Sequence, residues 1–324
     1  MLQKKKVLAI PIMTHPGIEL IGRTVREAVT DGKVHSDAIV ALNGKFPAAA
    51  VTAIMDLTVE AGAFGAEVSF SEDDIPNVVG RLVCDYDSVA ALRVPGLDRG
   101  RVPEYLRANR LTAERIKDKP VYGGCIGPFS LAGRLFDLSE LMMAIYIEPE
   151  TVCLLLDKCT EFLTEYVGEM KKTGISGVIM AEPASGLISN EDCLEYSTKY
   201  VRKIVAAVQD AGFKVILHNC GNTGHCTEAM VGSGAAGLHV GNRADMVEVL
   251  KSCPPDLPVM GNLDPVGILK QGTPEKVKAE TLALLEATSA WDNFILSTGC
   301  DAPPRIPFEN IGAFYEALEE YNAG

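Results

Sequence analysis

The sequence predicts an α/β fold, a (β/α)8 TIM barrel with an N-terminal helical elaboration, and three observations carry that reading. Short β-prone apolar runs recur eight times along the 324 residues. Helical stretches separate them. The runs are near-continuously apolar rather than alternating, as expected of parallel strands covered on both faces. Eight is also the number of strands that closes such a sheet on itself.

The elements follow in order. Val7–Pro11 is read as the first buried strand. Lys4-Lys5-Lys6 before it mimic the start of a secretion leader, but Pro11 and Pro16 break the apolar run early. The interval from about residue 18 to 65 is too long for one crossover and is expected to hold two or more helices. Strands are then expected at Ala66–Phe70, Val121–Gly124, Gly177–Ala181, Lys214–Leu217, Gly237–Val240, Val259–Gly261 and Phe294–Ser297. Helical patterns cover Glu150–Lys172, Asn190–Ala211, Pro274–Thr288 and Pro307–Tyr321. Ser189 before Asn190, and Thr273 before Pro274, have the chemistry of helix N-termini. Without a low-complexity linker or a charge block, residues 1–324 read as a single domain.

Composition narrows the function classes. Hydrophobic residues make up 47% and charged residues 23%, enough apolar content for a large core. The formal net charge of −13 argues against unassisted binding to nucleic acid or an anionic membrane, which need a basic face. No run approaches the ~18 apolar residues of a membrane span. Nine scattered cysteines form no compact even-numbered framework, so a reduced cytoplasmic setting is expected.

In a barrel of this kind chemistry sits just past the C-terminal ends of the strands. Those positions hold His15, Glu72, Cys125, Glu182, His218 with Cys220, His239, Asn262 with Asp264, and Cys300 with Asp301. Two strings stand out: Leu217-His218-Asn219-Cys220 and Ser297-Thr298-Gly299-Cys300-Asp301. Strand alternation puts His218 and Cys220 on one face. Cys300, from another strand of the same sheet, completes one imidazole and two thiolates. That set suits Zn²⁺ and leaves a fourth position open, as a catalytic zinc needs. Gly123-Gly124-Cys125-Ile126-Gly127 lacks the Gly-Lys-Ser/Thr ending of a phosphate loop. Its glycines are read as letting backbone lie close to a large flat macrocycle. Asn222 is expected to order the turn after the metal strand.

Several strings together resemble the uroporphyrinogen decarboxylase superfamily. They are Phe70-Ser71-Glu72-Asp73-Asp74-Ile75-Pro76, Gly127-Pro128-Phe129-Ser130-Leu131-Ala132, Glu148-Pro149-Glu150, His218 through Thr223, Gly261-Asn262-Leu263-Asp264-Pro265, and Gly299-Cys300-Asp301-Ala302-Pro303-Pro304. Within it the chain is similar to the methylcobamide:thiol methyltransferase branch, which places zinc on a His-x-Cys string and a distant Cys. By that resemblance His218, Cys220 and Cys300 are the metal ligands. The decarboxylase branch has His at the place of Cys300 and an N-terminal Arg-rich string. Here that stretch reads Met13-Thr14-His15-Pro16-Gly17-Ile18.

The resemblance implies methyl transfer from a methylated corrinoid to a small thiol such as coenzyme M, with a corrinoid-binding protein as partner. The opposite half-reaction, from a methylated substrate to Co(I), stays open as an alternative. The Asp-x-His-x-x-Gly cobalamin string is absent from the sequence, so the corrinoid is expected from elsewhere. Glu72 matches an acid of the decarboxylase site. The coenzyme M branch has an acidic residue near the position of Gly241, where this chain has none. His239 and Glu182 are the residues that could take its place. Gly124, Cys125, Asn222, Asn262 and Asp264 are the positions expected on the corrinoid side.

Overall fold

The computed structural model describes residues 6–324. The first part of the Lys4–Lys6 run and the start of the 1–324 domain lie outside them. Nine strands follow in chain order: β1 (Val51–Thr52), β2 (Glu67–Ser69), β3 (Asn77–Val79), β4 (Val121–Ile126), β5 (Gly177–Ala181), β6 (Lys214–Asn219), β7 (Gly237–Val240), β8 (Val259–Leu263) and β9 (Phe294–Thr298). Seven form one parallel sheet in the order β1-β4-β5-β6-β7-β8-β9. The chain from Leu8 to Met13 closes the ring. Leu296 N–H donates to Leu8 O and Ile10 N–H to Leu296 O, both at 2.9 Å. On the other side Ala49 N–H donates to Ala9 O at 2.8 Å. The result is the expected α/β barrel.

One strand is corrected. Ala66–Phe70 was expected in the barrel, but Glu67–Ser69 pairs antiparallel with Asn77–Val79 in a separate two-stranded hairpin. Glu67 and Ser69 are exposed, which fits a half-solvated antiparallel strand and not a strand covered on both faces. The barrel takes Val51–Thr52 instead, paired in parallel with Val121 and Tyr122. Its approach, Pro47-Ala48-Ala49-Ala50, is low in β-branched residues and gives little strand signal.

The long N-terminal interval holds four helices, His15–Leu20, Val25–Thr30, Gly32–Lys45 and Val59–Phe64, around that short strand. A reciprocal Thr24–Glu27 capping box starts the second, and the Asp31 carboxylate caps the third. The outer helices bury stripes at helical spacing. In Pro149–Lys172 these are Val152, Leu155, Leu156, Cys159, Phe162, Leu163, Tyr166, Val167 and Met170. Ser189 and Thr273 cap helices as expected, accepting from the backbone of Asp192 and Lys276.

Inside the ring Ile12, Met55, Ile179, Ala181, Ile216 and Met260 pack into an apolar plug. Parallel register sets Ala181, His218, His239 and Met260 side by side across β5 to β8, at the top of that plug. The strands therefore deliver His218 and His239 to the mouth at one level.

Candidate metal centre

His218 is the fifth residue of β6 and is 2% exposed. Cys220 lies just beyond the strand, and Cys300 two residues beyond β9. The ligating atoms of His218, Cys220 and Cys300 all lie within 4.8 Å of one another. Cys300 Sγ is 3.7 Å from His218 Nε2. Hydrogen bonding from Cys300 draws the Cys220 thiol below its ordinary range, and the same bond pushes Cys300 up. A cation bound between the two sulfurs would displace their protons.

A chain of hydrogen bonds assigns the His218 tautomer. Ser297 Oγ–H donates to Ile10 O at 2.7 Å, so Ser297 accepts from His239 Nε2–H at 2.8 Å. His239 Nδ1 then carries the lone pair and accepts from His218 Nδ1–H, also at 2.8 Å. His218 Nε2 is left bare and faces Cys300. Burial, reinforced by the neighbouring His218, holds His239 well below the usual imidazole range, so it stays neutral and able to accept. An imidazole fixed by a second hydrogen bond is the usual support of a metal ligand. One bare imidazole nitrogen and two half-buried thiols, converging within ligand distance, fit Zn²⁺.

Cys220 of this cluster lines a cavity of about 380 Å³. Cys220 and Gly221 form one wall, with Ser130, Gly133 and Arg134 on the helix Pro128–Phe136 opposite. Val78 and Gly80 of the hairpin arm overhang it.

The other predicted positions divide differently. His239 does not face the open side of the centre; both its ring nitrogens are engaged. Glu182 is buried, and its carboxylate caps a helix: it accepts from Phe129 N–H and Ser130 N–H at 2.8 Å and from Ser197 Oγ at 3.2 Å. A Cβ on Gly127 would lie 2.1 Å from Glu182 Cγ, so the glycine makes that approach possible. The Gly-Pro-Phe-Ser string therefore builds a helix start around a buried carboxylate. Glu72 follows the hairpin, not a barrel strand, and pairs with Arg26 at 2.9 Å on the surface.

The expected macrocycle contact of Gly124 and Cys125 is corrected. A Cβ on Gly124 would meet Met55 Sδ at 2.8 Å and Ile54 O at 3.1 Å, so the space is filled by protein. Cys125 is 2% exposed in the core, and burial pushes its thiol up. Asn222 is fully buried and orders its turn, accepting from Gly224 N–H and Cys226 N–H at 2.8 and 3.0 Å. Asn262 donates to Gly241 O and Ala244 O, and Asp264 caps the turn at Val266 and Gly267. Asn262 and Asp264 thus hold backbone at the mouth. His15 is buried with Nδ1 on Ala302 O at 3.0 Å, and Nε2 has no partner.

Two residues of this region escape the sequence reading. Ser297 ends the hydrogen-bond chain behind His218; its place three residues before Cys300 was the available signal. Arg134 lines the cavity, and only the fold shows that it does.

A barrel with a His-Cys-Cys cluster at its mouth is an α/β enzyme scaffold whose donor set suits a metal ion. The chain belongs to the uroporphyrinogen decarboxylase (URO-D) family, whose model matches residues 5–321. Among its relatives is a protein named methylcobamide:CoM methyltransferase MtbA, from Methanosarcina acetivorans. It is 30% identical over 276 residues, covering 84% of this chain and 80% of that one. A uroporphyrinogen decarboxylase of Legionella pneumophila is 25% identical over 273 residues, covering 82% and 76%. A solved structure described as a methyltransferase from Methanosarcina mazei shares the fold at a TM-score of 0.89, with 24% identity over 98% of this chain and 94% of that one.

Proposed function

We propose that this chain is a zinc-dependent methyltransferase that moves a methyl group from a methylated corrinoid to a small thiol such as coenzyme M. The observation that carries the reading is the His218–Cys220–Cys300 cluster, whose Cys220 lines a cavity of small-molecule size. The relative named methylcobamide:CoM methyltransferase supports the donor and acceptor classes.

Zinc held by these three residues supplies the positive charge that keeps an acceptor thiol deprotonated at neutral pH, where a free thiol of pKa about 8.5 is mostly protonated. Cys220 and Cys300 contribute two negative charges of their own, which leaves an acceptor sulfur electron-rich and nucleophilic. His218 is held in one tautomer by His239, so its lone pair needs no reorganisation. In the reaction an S–CH₃ bond forms, the Co–CH₃ bond breaks, and its electron pair stays on cobalt. The corrinoid is too large for the cavity and is best placed over the mouth, delivered by a corrinoid-binding protein. Nine free cysteines agree with a reducing cytoplasmic setting. No helix among the described residues is long and apolar enough to cross a membrane.

Porphyrinogen decarboxylation is the poorer fit. Its substrate carries many carboxylates, and Arg134 is the one Arg or Lys among the described residues lining the cavity.

The test is metal analysis with a methyl-transfer assay. About one zinc per chain is expected, with demethylation of methylcobalamin by a thiol. Cys300→Ser is expected to lower zinc content and to reduce turnover at least tenfold. A metal-free protein whose activity is indifferent to Cys300→Ser contradicts the reading.

A further inference from the structure

Three large apolar side chains stand outward on the helix Leu138–Ile147: Met143, Tyr146 and Ile147. Their spacing, i, i+3 and i+4, puts them on one helix face. Tyr146 is 70% exposed and Ile147 74%. The same helix already buries Leu141, Ala144 and Ile145, so the outward stripe is a second apolar face. Tyr146 Oη–H donates to Asp192 Oδ2 at 2.6 Å, and Tyr196 Oη–H donates to Ile145 O at 3.0 Å. Those bonds bring residues 190–198, with Leu194 exposed, alongside the stripe. At its other end the helix starts at Leu138, which lines the cavity together with the exposed Leu187. An apolar band thus extends outward from the cavity rim.

The band belongs to the mouth end of the barrel. The helix Pro149–Lys172 leads from Ile147 back to the start of β5, and Leu187 and Leu194 follow the end of β5. Charge around the band is one-sided. No Lys or Arg occurs between Arg134 and Lys158, or between Lys172 and Lys199. Those two stretches expose Glu140, Glu148, Glu150, Glu191 and Glu195 instead. Just beyond them Lys199 is engaged by Glu195 at 2.6 Å and Lys203 by Asp157 at 2.8 Å. Exposed apolar side chains grouped inside a polar rim mark a surface that another molecule covers, and Tyr and Met are enriched at such contacts. The acidic rim selects the occupant. Two copies packed through this face would set the same carboxylates against one another. A face with Lys and Arg around an apolar centre is attracted instead.

We propose that this band is a docking surface for a protein whose contact face is apolar and rimmed by Lys and Arg. Resting on the methyltransferase reading, that protein is the carrier of the methylated corrinoid. Met143, Tyr146 and Ile147 form the apolar centre of the contact, and the glutamates steer the approach. Leu138 and Leu187 join the contact to the cavity that Cys220 lines, so a carrier seated here stands beside the place where the methyl group is needed.

The experiment uses the zinc-loaded full chain with two donors. One is free methylcobalamin; the other is methylated corrinoid on each corrinoid-binding protein encoded in the same genome. Tyr146→Ala and Ile147→Asp are each expected to weaken carrier binding, read by calorimetry, at least about tenfold. Both are expected to keep the wild-type rate with free methylcobalamin, which also shows that they fold. Glu140→Gln combined with Glu148→Gln is expected to slow carrier association several-fold at low salt and little at high salt. If no carrier binds, or carriers bind the wild type and both variants equally, the docking surface is overturned; turnover of free methylcobalamin then leaves the methyltransferase reading standing. A variant rate that falls equally with both donors contradicts the surface as well. Carrier binding that depends on Tyr146 and Ile147, without methyl transfer from either donor, keeps the surface and removes the methyltransferase reading. A wild-type dimer in light scattering that Ile147→Asp dissociates assigns the face to a second copy and overturns the proposal.

Discussion

His239 donates no ligand to the metal centre in this arrangement; it decides which nitrogen of His218 can be one. The order Ile10 O, Ser297 Oγ, His239, His218 fixes every proton in the chain, and the last lone pair falls on His218 Nε2. Loss of such a support typically weakens a metal site about 10- to 100-fold. His239→Leu is expected to do so here while leaving the three ligands in place. Competition with a chromophoric chelator measures it, and an unchanged zinc affinity contradicts the role. That His218, Cys220 and Cys300 come together was legible in the sequence, because strand alternation, strand ends and residue type are local facts. The roles of Glu182 and His239 were not. Each was expected from its position at a strand end, but a strand end gives a location and not a partner. Glu182 turns to a helix N-terminus beside it, where the backbone donors of Phe129 and Ser130 offer a buried carboxylate what a metal would.

At the scale of elements, the helix Val59–Phe64 is tied to the end of β4 by one buried carboxyl. Glu60 Oε1 accepts from Ile126 N–H at 3.0 Å, while Glu60 Oε2 and the Tyr166 hydroxyl are buried without partners. Burial raises Glu60 from 4.5 to about 7. The folded value lies above the unfolded one, so the fold favours the neutral acid. That contribution is complete below pH 4.5 and is lost as pH rises through about 7. The shift corresponds to on the order of 3 kcal/mol. Glu60→Gln keeps the acceptor for Ile126 and removes the titration. It is expected to gain stability on the wild-type chain as pH goes from about 5 to about 8.5, read from urea midpoints across that range. Parallel midpoint curves for the two proteins would rule the effect out. This element was hidden from the sequence for a clear reason. With Ala66–Phe70 assigned to the barrel, the preceding segment had no strand to dock against. The alanine-rich approach to Val51 gave no competing signal. The same misassignment put Glu72 at the mouth, whereas the hairpin carries it to the surface beside Arg26.

For the whole molecule, parallel alternation was enough to reveal the barrel, since seven of the eight expected runs serve in the ring. The closing segment around Ala9 was placed correctly from its apolar run alone. What the pattern could not show is where the mouth has room. Gly123 to Gly127 looked like open backbone, yet Ile54, Met55, Asn109, Ile175 and Glu182 fill the space above those glycines. The room lies instead between Cys220 and the helix that bears Arg134. The molecule sets the His218–Cys220–Cys300 cluster at the barrel mouth, with Cys220 lining a cavity, and the central claim is that these residues hold zinc and that an acceptor thiol enters there and binds it. Zinc K-edge X-ray absorption of the purified protein, with and without 2-mercaptoethanesulfonate, tests it most directly. The account predicts two sulfur scatterers near 2.3 Å and one imidazole nitrogen, rising to three sulfurs when the thiol is added. A sulfur shell that stays the same on adding the thiol, or a protein that takes up no zinc, would contradict it.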